Sequence, residues 1–160
     1  MIMKDSSAQP LDRIDVRILR ALQTEGRLTN AELAARVNVS PATCHRRTQR
    51  LFEDGYITGV RAQIAPGAVG LGALVMVGVV LDRSTPESFG EFEGAVGEMK
   101  EVLDCNLVAG DFDYLLKVRV RDMADFNRLH TRQLIALPGV RQIRTFFVIK
   151  EVKDNEPLAF

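Results

Sequence analysis

The chain has 160 residues, 46% of them hydrophobic and 26% charged, with 21 basic side chains balanced by 21 acidic ones. That profile belongs to a globular protein of one or two domains and excludes a disordered polyelectrolyte. The apolar run 67–81 is 15 residues long, short of the roughly 20 that a membrane span needs; residues 1–10 (MIMKDSSAQP) carry no apolar signal-peptide core, and the expected location is the cytoplasm. Cys44 and Cys105 stand far apart and outside any CxxC pattern, which argues against a disulfide framework or a zinc site and suggests two small buried side chains. The charge balance hides an asymmetry. Residues 1–66 hold 10 basic against 7 acidic side chains, and residues 67–160 hold 11 against 14, so a polyanion is a more natural partner for the front of the chain than for the back.

Asp12 is placed to cap a first helix whose apolar stripe is Ile14, Ile18, Leu19 and Leu22, ending at Gly26. Thr29 and Glu32 have capping-box spacing, with Leu28 and Leu33 at the staple positions, and predict a short second helix burying Leu33, Ala34 and Val37. Ser40-Pro41 restarts a helix almost at once, since Ser is a strong N-cap and Pro suits the first helical position. Cys44, Thr48 and Leu51 then face inward. Ala42, Thr43, His45, Arg46, Gln49 and Arg50 face outward, with Arg47 near the boundary, until Gly55 closes the helix. Two helices joined by the tight Asn38-Val39-Ser40 turn, the second with a basic and hydroxyl outer face, make a helix-turn-helix. Small residues at the helix start allow entry into the major groove, the positive end of the helix dipole meets phosphates, and Arg46, Arg47 and Arg50 suit phosphate or guanine edges. The plainer alternative is a three-helix bundle whose arginines only solvate one face. Residues 56–65 alternate as a strand, and Pro66-Gly67 marks a boundary.

The remaining residues read as βαβ twice. The strands are expected at 71–81, 102–108, 113–120 and 140–152. One helix runs from Pro86 to Met99 and buries Phe89, Phe92, Val96 and Met99. The other, capped by Asp122, runs to Ile135 and buries Met123, Phe126, Leu129 and Leu134. Gly110-Asp111 is the tight turn between the halves, which gives a ferredoxin-like βαββαβ arrangement with both helices on one face of an antiparallel sheet. Neither alternating set of residues 74–81 (LVMVGVVL) is polar, so the other face needs a cover, expected to be the same sheet of a second copy.

The segments LDRIDVRIL (11–19), LTNAELAARVNVSPATCHRRTQRLFEDGYI (28–57), LVAGDFDYLLKV (107–118) and LPGVRQIRTFFVIKEVK (137–153) together resemble the Lrp/AsnC family, the feast/famine regulators of bacteria and archaea. Within it they are most similar to the leucine-responsive type. The GDFDY turn at 110–114 between two βαβ halves makes the resemblance specific. It implies an α+β chain: a winged helix-turn-helix DNA-binding domain at 1–55, a hinge strand at 56–66 and a ferredoxin-like, ACT-like regulatory and oligomerisation domain at 67–160. Its implied function is sequence-specific transcription regulation modulated by an amino acid or related metabolite. The implied partners are double-stranded DNA with a pseudo-palindromic operator, the amino acid effector, and further copies forming a dimer, tetramer, octamer or larger disc. Carried over by position, Ser40, Pro41, Thr43, His45, Arg46, Arg47 and Arg50 would contact DNA. Gly110 and Asp111 would meet the effector's ammonium and carboxylate, Asp113 and Tyr114 would shape the turn, and Leu107, Val108 and Met123 would be apolar neighbours of the effector. A plain hairpin also needs Gly-Asp there, which leaves a structural reading of that turn open.

An effector sensor of the same fold acting without DNA is the alternative, opposed by the basic third helix. A tetrapyrrole decarboxylase-like enzyme is a more distant one. His45 falls on the DNA face, His130 on a helix flank, and neither a metal-spaced cluster nor a nucleophile or phosphate-loop motif occurs in the sequence. No catalytic residue, metal or cofactor is therefore expected.

Overall fold

The computed structural model describes residues 10–160; residues 1–9, most of the stretch read above for a signal core, lie outside the described residues. Two compact units form. The first is the chain up to Gln63 together with Lys153–Phe160, and the second is Ile64–Val152. No helix among the described residues is long and apolar enough to cross a membrane.

The first unit is built from α1 (Arg13–Thr24), α2 (Asn30–Val37) and α3 (Pro41–Glu53). Each start is fixed by the cap that the sequence supplies. Asp12 accepts the amides of Ile14 and Asp15, Thr29 and Glu32 form a reciprocal capping box, and Ser40 accepts the Thr43 amide ahead of Pro41. Asn38 ends α2 at φ 60°, a left-handed conformation that Asn tolerates, so only Val39 separates it from the cap of α3. Ile18, Leu33, Ala34, Val37, Cys44 and Leu51 close the core between the three helices.

The second unit carries β1 (Ala73–Leu81), α4 (Pro86–Gly97), β2 (Val102–Leu107), β3 (Tyr114–Val120), α5 (Met123–Arg132) and β4 (Val140–Phe147). All pairs are antiparallel and the spatial order is β2-β3-β1-β4, the ferredoxin-like topology. Val75, Val77, Val79 and Leu81 on β1 and Tyr114, Leu116, Val118 and Val120 on β3 pack against Phe92 and Val96 of α4 and Phe126 and Leu129 of α5. The opposite face carries Leu74, Met76 and Val80 on β1 but Lys117 and Arg119 on β3 and Arg144 on β4. It is apolar along its central strand and mixed towards its flanks.

Several expectations are corrected. Residues 56–65 form no strand, because alternation encodes a face but not a neighbour, and no strand among the described residues pairs with them. β1 starts at Ala73, after a 3₁₀ turn at Pro66–Val69 closed by Gly70. α4 ends at Gly97 rather than Met99, although Met99 is buried. α5 stops at Arg132 with a 3₁₀ turn following at Leu134–Ala136, and Met123, at its first position, is 57% exposed rather than buried. β4 stops at Phe147. The Val148 amide still donates to the Leu74 carbonyl at 3.0 Å, but Glu151 then forms a forked pair with the buried Arg119 of β3 at 2.6 and 2.7 Å. Leu74, the register partner of Arg119 on β1, is buried. Cys44 is buried but Cys105, on the edge strand β2, is exposed. Apart from these corrections, the two compact units divide between Gln63 and Ile64, and Lys153–Phe160 packs with the first. Gln23 fixes Leu158 with two hydrogen bonds, its amide donating to the carbonyl at 2.8 Å and its oxygen accepting at 3.0 Å. Arg20 donates to the Phe160 carbonyl and stacks over its ring.

Candidate functional site

Two places concentrate the chemistry, one in each unit. In the first, the early Ser40-Pro41 cap points the N-terminus of α3 outward. Ser40, Pro41, His45 and Arg46 are exposed and Thr43 is half-buried. The Ser40 hydroxyl also donates to Thr43 Oγ1 at 2.9 Å, so both hydroxyls are ordered at the tip. Arg46 takes part in no ion pair among the described residues. The tip presents hydroxyls, one imidazole and one open guanidinium beside the positive end of a 13-residue helix, which suits a polyanion.

Arg47 and Arg50 behave differently. They sit one turn apart on the flank of α3 that faces α1, with side chains only 19% and 22% exposed. Arg47 Nη1 donates to Asp12 at 2.6 Å and to Asp15 at 3.0 Å, and Arg50 Nη2 donates to Asp15 at 2.5 Å. Asp15 is fully buried, and its Oδ2 also accepts the Asp12 amide at 3.1 Å. The signal for this cluster was present in the sequence: Asp15 falls inside the apolar stripe of α1, and a carboxylate placed there demands a cation. The Asp12 carboxyl is held down to about 2, chiefly by the Asp15 amide and then by Arg47, and the same carboxylates hold the Arg47 guanidinium above its usual value. A depressed carboxylate stabilises the fold at pH values above its unfolded range and ceases to do so as pH falls through its folded value. Wild type and Asp12→Asn, compared by thermal unfolding across pH, should therefore differ at pH 5–7 and converge as the pH is lowered from about 4 to 2.

In the second unit, the turn between β2 and β3 folds back on β1. The Val108 amide donates to the Asp113 carbonyl at 2.9 Å, the Asp113 amide to the Val79 carbonyl at 2.9 Å, and Asp113 Oδ2 accepts the Leu81 amide at 2.7 Å. Gly110 adopts φ 149°, which L side chains rarely take. Gly110 and Asp111 form an exposed tip. Phe112 lies over Gly78 so closely that a Cβ there would stand 2.6 Å from its ring. Phe146 meets the same ring edge-on at 6.2 Å and Arg144 lies 5.9 Å over it.

The other carried-over residues divide. Leu107 is exposed and Val108 half-buried at the base of the turn. Tyr114 points the other way, into the core. Its ring contacts Phe92 at 4.6 Å and Phe89 at 5.9 Å, and its hydroxyl donates to Glu93 of α4 at 2.7 Å. Burial and then Glu93 push that phenol well above its ordinary value. Met123 follows the far end of β3, six residue steps from Tyr114, or about 20 Å at strand rise. One chain therefore gathers Leu107, Val108, Gly110, Asp111 and Asp113, and leaves Met123 apart. His45 is exposed on α3 and His130 half-buried beside Phe126; among the described residues no three potential ligands cluster for a metal.

A family model described as the Lrp/AsnC ligand binding domain matches residues 74–158, and one described as winged helix-turn-helix DNA-binding matches residues 11–58. The leucine-responsive regulatory proteins of Salmonella typhimurium and Escherichia coli are each 44% identical over 159 residues, covering 98% of this chain and 97% of theirs. A transcriptional regulator of Neisseria meningitidis, solved in complex with L-Met, superposes with a TM-score of 0.89 at 35% identity, covering 94% of this chain and 97% of its own. An AsnC family transcriptional regulator from Agrobacterium tumefaciens gives 0.88 at 32% identity, with 93% and 97% covered.

Proposed function

The chain belongs to the Lrp/AsnC family, and on that premise we propose that it is a transcription regulator that reads double-stranded DNA with α3 and changes its assembly or DNA affinity when an amino acid or related metabolite binds the second unit. The observation that carries the DNA half is the tip of α3, where Ser40, Pro41, Thr43, His45 and Arg46 stand on the N-terminal turns of a capped helix after a one-residue linker. Arg47 and Arg50, carried over as DNA contacts, lie on the flank and are held there by Asp12 and Asp15. The effector half rests on the Gly110-Asp111 tip, whose exposed backbone groups would meet an ammonium and a carboxylate, with Leu107 and Val108 beside them. Met123 joins only from another copy, since one chain holds it about 20 Å away.

The assembly we propose starts from a dimer in which a second copy covers the helix-free face of the sheet over Met76 and Val80, with residues 56–65 pairing with their mate's. Dimers then build tetramers, octamers or larger discs. Two-fold symmetry places paired recognition helices on a pseudo-palindromic operator with half-sites about 34–36 Å apart or a multiple of that. The effector acts only through its differential affinity for two arrangements. The protein works in the cytoplasm, by binding alone, without a catalytic step or a cofactor. Leucine and methionine are the first effector candidates, from the names of the relatives that this chain resembles.

A gel-shift salt series on genomic fragments tests the DNA half, and affinity must fall steeply with salt. A flat response counts against it. A thermal-shift screen of the twenty amino acids tests the effector half, because a ligand of the folded state raises apparent stability. A screen in which none shifts the transition overturns it.

A further inference from the structure

We propose that Asp15 is a charge mask on the recognition helix, a buried carboxylate of α1 that neutralises Arg47 and Arg50 and so limits how strongly the protein grips DNA of any sequence. The inference rests on the reading of α3 as the DNA-contacting helix and adds a residue that does not itself face the nucleic acid. Asp15 is fully buried and holds Arg50 at 2.5 Å and Arg47 at 3.0 Å, and Asp12 takes a second bond from Arg47 at 2.6 Å. Two carboxylates thus face two guanidiniums. Drawing either arginine out to a phosphate would strip a buried carboxylate of compensation, and the desolvation cost of that exceeds what a water-exposed phosphate pair returns.

The affinity of a DNA-binding protein for arbitrary sequence grows with each cation that displaces a counterion from the duplex. A guanidinium already neutralised within its own domain displaces less. The outward face of α3 is thereby left with one open guanidinium, Arg46, and with the neutral groups of Ser40, Thr43 and Gln49, which favours discrimination by groove shape and base edges over adhesion. Asp15 is a positioning residue in this scheme, acting through two arginines.

A strut that merely fixes α1 against α3 and a charge mask give opposite signs on one measurement. Full-length Asp15→Asn is titrated against a random-sequence 40-base-pair duplex over a range of NaCl concentrations, with circular dichroism and thermal melting to establish that it is folded. Loss of the buried carboxylate removes the Asp15 pair of Arg50 and leaves Arg47 with Asp12, so low-salt binding should tighten and the plot of log K against log salt should steepen by up to about 1 to 2 per recognition helix, at roughly 0.9 for each phosphate neutralised. Asp12→Asn is the second variant. Asn is as good an N-cap as Asp, so it takes away one of the two carboxylates that hold Arg47 without uncapping α1, and its slope should steepen by up to about 0.9 per recognition helix. Should Asp15→Asn fail to fold, Asp12→Asn decides the matter. A folded variant with an unchanged or shallower slope overturns the mask. Absence of salt-dependent binding by the unaltered protein overturns the DNA reading instead, a different and separately visible result.

Discussion

Replacing Arg46 with alanine is expected to weaken DNA binding by about 1–3 kcal/mol for each recognition helix engaged, with no loss of thermal stability. Arg46 is exposed and unpaired among the described residues, so its removal takes nothing from the core and its charge is fully available to a phosphate or a guanine edge. The log–log salt slope should become shallower by about 0.9 per recognition helix if the contact is to phosphate. If it is to a base, the loss should instead concentrate on one operator position. Gel shifts of wild type and variant on the same fragments at several salt concentrations make the distinction. Unchanged affinity would show that α3 is not the surface that meets DNA.

Gly78→Val is expected to destabilise the second unit by about 1–3 kcal/mol and to displace the Gly110-Asp111 turn, proposed to hold the effector, along with it. Gly78 sits mid-strand in β1, paired with Leu115 and Arg144, where glycine costs stability unless something needs the space. Phe112 needs it: three of its ring atoms lie within 2.8 Å of where a Cβ would be. The ring has no easy retreat, with Phe146 and Arg144 against it and Asp113 beside it tied to the backbone of Val79 and Leu81. A valine must therefore displace the turn that carries Gly110 and Asp111. The readouts are a melting temperature lower by about 4–8 °C per kcal/mol for a unit of this size and a smaller thermal shift with L-leucine or L-methionine. Adding Phe112→Ala should recover part of the stability by vacating the clash. A variant that melts and responds like wild type would show that the turn is independent of the sheet beneath it.

What could be read from the residues alone was whatever is settled within about four positions. Asp12, Thr29 and Ser40-Pro41 are caps because their side chains reach amides two or three residues on, and the helices follow from them. The βαββαβ order was legible for the same reason, since each element announces itself by its own periodicity. Statements about partners were not. Residues 56–65 have the alternation of a strand and no ladder, and β4 stops short because Glu151 answers to Arg119 two strands away. Periodicity placed Arg50 outward, yet α1 supplies a carboxylate that draws it in. The family resemblance gives Tyr114 a part in shaping the turn, and the pleat of β3 points its ring into the core against Phe92. Met123 continues the stripe of Phe126 and Leu129, yet at the first position of α5 it is exposed.

The return of residues 153–160 to the first unit makes that unit discontinuous in sequence. Gln23 and Leu158, joined by two hydrogen bonds, are 135 residues apart. A ribosome emits the three helices early, but they receive their last strap only after the whole intervening ligand-sensing segment has been made. Closing so long a loop carries an entropic cost and slows that final step relative to the local helix contacts. A nascent or clipped chain would hold a nearly complete DNA-reading head without its finishing segment. An interruption anywhere in the second unit, even one far from any helix that touches nucleic acid, would be felt there as well.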